Sequence, residues 1–266
     1  MAATNPSVNF SPELRAVAES FGSDAERYDR ARPPYPDALV RAIVQHSPGG
    51  DVLDVGIGTG SAARQLRDAG CTVTGVEADA RTADVARRAG FSVDVGRFEE
   101  WDPADRRFDA VVAGQAWHWI DPVAGAATAA RSLRPGGLLA TFWNAASPPP
   151  ELAAAFAAVY QRVVPDLPYR PWAPNMTDSY DEMCLRAASG MRESDDLAEP
   201  EHWLFGWAQT YTRDEWLDLV PAAGGHSRFP DPVLAELLTG LGDVVDEAGG
   251  TVTMPYRSVA VAAHRH

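Results

Sequence analysis

Short blocks of apolar and polar residues alternate along the first 150 residues, and they predict strands and helices in turn. Apolar runs that end at a glycine or an acid are typical of strands, and the longer mixed runs between them are typical of helices. Regular alternation indicates a parallel sheet covered by helices. The predicted strands are 52–55, 72–77, 91–95, 108–113 and 138–143, and the predicted helices are 11–20, 36–46, 61–69 and 81–89.

Beyond the prolines at 148–150 the pattern changes. It predicts a helix, an irregular stretch that reaches Pro200, and two strands with two helices between them. The two strands are expected to pair in antiparallel fashion at the edge of the sheet. We therefore predict an α/β fold with a Rossmann-like, doubly wound, mostly parallel seven-stranded sheet, an antiparallel edge strand and helices on both faces. In this part the predicted helices are 151–163, 213–220 and 231–248, and the predicted strands are 203–211 and 251–262.

Composition narrows the classes of protein. The 266 residues are 45% hydrophobic, enough for a sizeable core, and the net charge of -14 disfavours nucleic acid and favours a small neutral or cationic ligand. No apolar run of 18 residues occurs and the start lacks a leader pattern, so we expect a cytoplasmic protein without membrane contact.

All 23 basic residues are arginine, which suggests a bacterial source. Neither the two cysteines nor the histidines show metal-ligand spacing, so no metal is expected.

The first strand leads into a glycine-rich turn at 56–60. Gly56 and Gly58 permit positive φ and the close approach of a ligand to the main chain, and Gly60 lets the next helix pack tightly. Asp54, at the end of a buried strand, needs a cationic or hydrogen-bonding partner. Glu77 ends the second strand, where an acid accepts ribose hydroxyls. An ordinary tight turn is the alternative, but strand, turn, helix, strand and acid in this order favour a ligand site.

This order of residues resembles motif I of the class I S-adenosylmethionine-dependent methyltransferases, in a small-molecule, type 11/25-like subgroup. The resemblance extends over residues 20–145, and more loosely to the C-terminus. It implies that Glu77 holds the ribose and that the turn after strand three contacts adenine. Arg97 stands where many members carry Asp, so main-chain groups near Phe98, or Glu99, are expected to replace it. The implied cofactor-binding residues are Tyr28, Arg32, Asp54, Gly56, Gly58, Gly60, Glu77, Ala78, Phe98, Glu99, Gln115 and Trp117.

Residues 28–36, which are rich in tyrosine, arginine and proline, resemble the lid-like lead-in of that subgroup. The resemblance implies that Arg32 pairs with the carboxylate of the cofactor and that Tyr28 covers its methyl group. Alternatively, the aromatic residues of this segment simply pack on the sheet.

His118 follows strand four and is the candidate catalytic base, because histidine titrates near neutrality. The alternative is a structural histidine bonded beside the cofactor. Trp117 and Trp119 could wall the pocket or hold a sulfonium by cation–π attraction, or belong to the core. The aromatic stretch 169–180 could form part of the acceptor pocket or an oligomer contact.

The sequence thus predicts an enzyme that transfers a methyl group from S-adenosylmethionine to an oxygen, nitrogen or carbon of a small acceptor and leaves S-adenosylhomocysteine. An NAD(P)-dependent oxidoreductase and a non-catalytic cofactor-binding protein are the alternatives; a homo-oligomer is possible. The dinucleotide fingerprint places its third glycine or alanine where Ser61 stands, which favours the methyltransferase. We divide the chain into an N-terminal helix and lid (1–36), a cofactor-binding core (37–147), a substrate-cap insertion (148–200) and the C-terminal part of the sheet with its helices (201–266).

Overall fold

The structure is a computed structural model, and it describes residues 25–167, 171–172, 176–222 and 226–266. The helix predicted for 11–20 lies outside these residues. Within them, no helix is both long enough and apolar enough to cross a lipid bilayer.

Seven strands form one sheet in the order β3-β2-β1-β4-β5-β7-β6. β1 to β5 are parallel, whereas β7 runs antiparallel to both β5 and β6. The predicted fold class is confirmed, and the antiparallel pair of C-terminal strands forms one edge of the sheet. The strands are β1 Asp51–Val55, β2 Thr72–Glu77, β3 Ser92–Val95, β4 Phe108–Gly114, β5 Leu133–Ala146, β6 Glu201–Thr212 and β7 Thr251–His264.

The helices follow the predicted alternation with two differences. A short helix, α1, overlaps the start of the lead-in segment 28–36. A 17-residue helix, α7, occupies much of the stretch predicted to be irregular, so that prediction was wrong. Asp79 and Asp121 cap the helices that follow them through side-chain hydrogen bonds to backbone N–H groups. The helices are α1 Ala25–Ala31, α2 Asp37–His46, α3 Ser61–Asp68, α4 Ala80–Arg88, α5 Pro122–Ser132, α6 Pro150–Val163, α7 Met176–Arg192, α8 Arg213–Leu219 and α9 Asp231–Glu247.

Alternate side chains of the central strands bury against different helices. On one face, Val52, Ala110 and Leu138 pack with α2, α3 and α4. On the other face, Leu53 and Val111 pack with α5 and α7. Strands buried on both faces read as continuous apolar runs, which is why the sequence predicted them well.

A third apolar cluster joins α6, α8 and α9 to the antiparallel pair β6 and β7. Phe156 of α6 stacks on Trp216 of α8, and Trp172 packs against both rings. The segment 148–200 therefore contributes α6 to this cluster and α7 to the main core. The division of the chain into four parts remains a prediction.

Candidate functional site

A cleft opens at the carboxyl ends of β1, β4 and β5, beside the point where the strand order reverses. Ligands of open α/β sheets bind at such a reversal. The space between the walls of the cleft is about 470 Å³, which includes open solvent at the mouth. It is lined by Tyr28, Arg32, Pro33, Tyr35, Asp54, Gly56, Ile57, Gly58, Thr59, Ser61, Ala62, Gly114, Gln115 and Asn144.

The glycine turn forms the floor of the cleft and is tied to the end of β2. Gly56 and Gly58 have φ of +66° and +56°, a conformation that favours glycine. The backbone N–H of Gly58 donates to Oε2 of Glu77 at 2.8 Å, and that of Asp79 donates to Oε1 at 2.9 Å. Two amide donors fix the Glu77 carboxylate beside the turn, although burial raises its pKa.

Asp54 is buried at the end of β1, with 1% of its surface exposed. Its Oδ2 atom has no hydrogen-bond partner among the described residues. Burial, together with the neighbouring charge of Glu77, raises the pKa of this carboxyl to about 8. A buried acid that lacks partners is costly, so the cleft offers Asp54 to a ligand that is cationic or donates a hydrogen bond.

The lead-in segment that carries Tyr28 and Arg32 is held against the body at several points. Gln65 of α3 forms two hydrogen bonds to the main chain of Tyr35. Its Oε1 accepts from the Tyr35 N–H at 2.9 Å, and its Nε2 donates to the Tyr35 carbonyl at 2.7 Å. Asn144 donates to the carbonyl of Pro34 at 3.0 Å. Ion pairs join Arg64 to Asp29, and Arg27 and Arg30 to Asp218.

Arg32 lines the cleft among tyrosines. Its guanidinium lies 5.2 Å from the centre of the Tyr28 ring, and no ion pair joins it to a carboxylate of the described residues. The phenols of Tyr35, Tyr180 and Tyr256 also lie close enough to interact with its charge. Burial raises the pKa of these three phenols, so they stay neutral. Arg32 is thus a cation surrounded by hydrogen-bonding groups and free to receive an anion.

His118 lies in a single 3-10 turn after β4, three residues beyond Gln115 of the cleft lining. Its Nδ1 accepts a hydrogen bond from Nε1 of Trp143 on β5 at 3.1 Å. Burial, together with the positive charges of Arg32 and Arg186, lowers the pKa of the imidazole to about 4. His118 is therefore neutral at pH 7.

Other predicted site residues lie around the cleft or below it. Gly60 precedes α3, Ala78 follows β2 and is exposed, and Glu99 accepts from the N–H of Asp121 at 3.1 Å. Phe98 and Trp117 are buried in the core, with ring centres 6.2 Å apart. The Nε1 atom of Trp117 is buried there without a partner among the described residues. Of the residues predicted to bind cofactor, Tyr28, Arg32, Asp54, Gly56, Gly58 and Gln115 line the cleft itself.

Several lining residues were not predicted. Asn144 ends up in the cleft because it follows Trp143 near the carboxyl end of β5, a signal that the strand pattern already contained. Its Oδ1 accepts from Ser258 at 2.6 Å, and its carbonyl accepts from Gln115 at 3.2 Å. Gln115 has φ of +55°, and such rare backbone conformations of non-glycine residues cluster at functional sites.

No group of three or more histidine, cysteine, aspartate or glutamate side chains is placed to hold a metal ion in the described part of the chain. Of the stretch 169–180, Trp172 packs in the cluster of α6 and α8, and Tyr180 lies near Arg32. Tyr169 lies outside the described residues.

Comparison with known proteins supports the sequence resemblance. Residues 53–141 match a family model described as a methyltransferase domain. An uncharacterized methyltransferase of Mycobacterium tuberculosis is 38% identical over 132 residues, which are 49% of this chain and 54% of that protein. A malonyl-[acyl-carrier protein] O-methyltransferase of Pseudescherichia vulneris is 34% identical over 156 residues, or 56% of this chain and 61% of that one. The chain spans about half the length of the first curated relatives that it matches.

Solved structures agree on the fold. A protein of Anaeromyxobacter dehalogenans described as a type II methyltransferase aligns with a TM-score of 0.60 at 24% identity and covers 87% of this chain and 97% of its own. A protein of Anabaena variabilis described as a methyltransferase from an antibiotic biosynthesis pathway aligns with a TM-score of 0.54 at 15% identity, over 84% and 96%. The resemblance to the class I methyltransferases is confirmed.

Proposed function

We propose that the chain transfers a methyl group from S-adenosylmethionine to a small-molecule acceptor, because residues 53–141 match a methyltransferase domain and the matched relatives are named methyltransferases. The observation that carries the proposal is the cleft at the reversal of the sheet, which joins the glycine turn, the buried Asp54 and Arg32; among the described residues, Oδ2 of Asp54 has no hydrogen-bond partner and Arg32 forms no ion pair. Because the matched relatives are covered only in part, the activity of the whole protein is a proposal.

The residues present fit such a cofactor. Its methionine end carries an amino group, a sulfonium and a carboxylate, and the cleft offers a partner for each sign of charge. Asp54 is a buried acid whose Oδ2 has no hydrogen-bond partner, and Arg32 is a half-buried cation without a carboxylate partner among the described residues. Opposite charges that meet in a desolvated site compensate each other's cost of burial.

The nucleoside end would lie along the glycine turn toward β2. Glu77 is held by the N–H groups of Gly58 and Asp79, which aims its carboxylate at the space beside the turn. We propose that it accepts the ribose hydroxyls, as an acid at this position does in Rossmann-like folds. Phe98 and Glu99, which follow β3, are the proposed neighbours of the adenine.

The cofactor, when bound, supplies an electrophilic methyl group on sulfur. The chain's own contribution is alignment and exclusion of water. The lead-in segment covers the cleft with Tyr28, Pro33 and Tyr35, and its ties to Gln65 and Asn144 hold that cover in place. The relatives named for O-methyl transfer support an oxygen atom as the acceptor.

The test is calorimetric titration of the purified protein with S-adenosylmethionine, S-adenosylhomocysteine and NADPH. We expect the two sulfur compounds to bind with dissociation constants in the micromolar range and NADPH not to bind, because Ser61 stands where the dinucleotide fingerprint needs glycine or alanine. Binding of NADPH with no binding of either sulfur compound would overturn the proposal in favour of the oxidoreductase. Binding of the cofactor without methyl transfer to any acceptor in a metabolite extract would favour the non-catalytic alternative.

A further inference from the structure

We infer that the acceptor is a carboxylate, which takes the methyl group on oxygen as the anion and is oriented by a hydrogen bond from Nε2 of His118. The inference rests on the proposed methyl transfer and names its substrate class. It starts from the contact between His118 and Trp143.

That contact fixes the hydrogen on the imidazole. An indole Nε1–H can only donate a hydrogen bond, so the Nδ1 atom that receives it at 3.1 Å carries the lone pair. The single hydrogen of the neutral ring then sits on Nε2. Trp143 is fully buried on β5, so the donor is held in place by the core rather than by solvent. Nε2 itself has no hydrogen-bond partner in the described part of the chain.

A histidine in this state cannot serve as a base. Its one lone pair is engaged by Trp143, and burial together with the charges of Arg32 and Arg186 holds its pKa near 4. The other titratable groups do not replace it. Asp54 is the sole acid among the described residues that line the cleft and lies at the cofactor end, and the phenols of Tyr35, Tyr180 and Tyr256 are kept neutral by burial.

The absence of a base among these groups restricts the acceptor. Phenols, enols and carbon acids react faster when a proton is removed, whereas a carboxylate at neutral pH is already ionised. An amine is mostly protonated at that pH, and the charge of Arg186, which acts on His118, would repel it. The same charge attracts a carboxylate, and the Nε2–H of His118 can donate to it.

The chemical step then balances without proton transfer. One carboxylate oxygen forms a bond to the methyl carbon while the carbon–sulfur bond breaks and its electron pair stays on sulfur. The products are a methyl ester and S-adenosylhomocysteine.

The first experiment identifies the class of acceptor. The purified protein is supplied with S-adenosylmethionine labelled in the methyl group and with straight-chain carboxylic acids and dicarboxylic monothioesters, next to the amides, alcohols and amines of the same carbon skeletons. We expect label in the carboxylates alone, released as methanol by mild base as a methyl ester requires. Transfer confined to amines, alcohols, phenols or carbon, or no transfer to any carboxylate by protein that binds the cofactor, overturns the inference.

The second experiment tests the role of His118 without relying on turnover alone. In ¹⁵N-labelled protein saturated with S-adenosylhomocysteine, long-range proton–nitrogen spectra should show hydrogen on Nε2 and none on Nδ1 from pH 5 to 8. Hexanoate should shift the Nε2 resonance and hexanamide should not. Hydrogen on Nδ1, or equal shifts with both probes, contradicts the assignment.

A pair of variants completes the test. His118→Gln keeps an N–H donor near the position of Nε2, whereas His118→Phe keeps the ring shape without a donor. We expect His118→Phe to raise the KM of the carboxylate on the order of 10- to 100-fold and His118→Gln to restore most of it, with the cofactor dissociation constant unchanged in both. Equal losses in the two variants would count against the hydrogen bond. If the natural protein does not bind the cofactor at all, the proposed function itself is refuted.

Discussion

Gly56 and Gly58 share a left-handed backbone but differ in what surrounds them. A Cβ on Gly56 would lie 2.5 Å from the Cβ of Ala116, inside the protein. A Cβ on Gly58 would meet only the carbonyl of Gly56, at 3.9 Å, and would stand in the cleft. The first glycine therefore serves folding and the second serves access of a ligand to the main chain.

The two alanine variants should separate these roles. Gly58→Ala should lower the free energy of unfolding by about 1 kcal/mol through backbone strain and weaken cofactor binding on the order of 10- to 100-fold. Gly56→Ala should cost about 2–5 kcal/mol of stability, because strain and overpacking add. Urea unfolding and calorimetry give both quantities. Similar stabilities with similar affinities would contradict this division of roles.

Asp54 should make both stability and binding depend on pH. Its pKa is about 8 in the folded protein against 3.8 for an ordinary carboxyl, so between these values the folded state binds more protons than the unfolded state. Without cofactor, stability should therefore fall as pH rises from 4 to 8, by ~1 kcal/mol per unit at most. Asp54→Asn should remove this slope and be more stable than the natural protein at pH 8.

Cofactor binding should show the opposite trend. A cation beside Asp54 favours the ionised carboxyl, so binding below pH 8 releases a proton and affinity should rise up to about tenfold per pH unit toward 8. Calorimetry in buffers of different ionisation enthalpy measures the proton directly. Affinity that is independent of pH, with no proton released, would show that Asp54 does not meet the cationic part of the ligand.

At the scale of elements, hydrogen bonds from α3 help to position the lead-in segment. Gln65→Ala removes both hydrogen bonds to the main chain of Tyr35, and we expect cofactor affinity to fall on the order of tenfold with a loss of stability of about 1–3 kcal/mol. Arg67→Ala is the matched control, since Arg67 lies on the same helix and binds the carbonyl of Ala89 instead. Equal effects of the two changes on affinity would disprove the role of Gln65.

A second chain of hydrogen bonds reaches the same segment from the far edge of the sheet. Nε1 of Trp207 on β6 donates to Ser258 on β7, Ser258 donates to Asn144 on β5, and Asn144 donates to the carbonyl of Pro34. The C-terminal strands thus support the cleft although they do not line it.

At the scale of the whole molecule, the cleft is lined by residues between 28 and 144 and supported from β6 and β7 through Ser258 and Asn144, so a ligand should stabilise the fold as a unit. Cofactor at 100 times its dissociation constant should add about 2.7 kcal/mol, which raises the melting temperature by about 5–10 °C for a chain of this size. NADPH at equal concentration is the control and should leave the melting temperature unchanged. A shift with NADPH alone would point to a dinucleotide.

The net charge of the chain does not predict which charge of ligand the cleft prefers. The net charge of -14 favoured a neutral or cationic ligand, yet the charges that act on His118 are those of Arg32 and Arg186. Interactions between exposed charges farther apart than about 10 Å are screened by salt, whereas a desolvated site responds to its nearest groups. The local charges therefore carry more weight for the acceptor than the sum over the surface.

The order of elements and the floor of the cleft were determined by the sequence alone. Glycine at a left-handed position and apolar runs in buried parallel strands are local requirements, so they can be read from neighbouring residues, as with Gly58 and β1. Helix α7 escaped prediction because its place depends on packing: its buried Ala187 and Ala188 belong to the sheet core, and Gly190 lies against Pro122 of α5 with no room for a Cβ.

Tertiary structure alone decided the electrostatic state of the site. The bond that fixes the hydrogen of His118 joins residues 25 positions apart on different elements, and Arg32 meets Tyr180 and Tyr256 from the far end of the chain. A sequence specifies which residue types are present, but tautomer and pKa depend on burial and on partners brought together by the fold. For that reason the glycine turn at 56–60 could be recognised from the sequence, while the role of His118 could be argued only from its contact with Trp143.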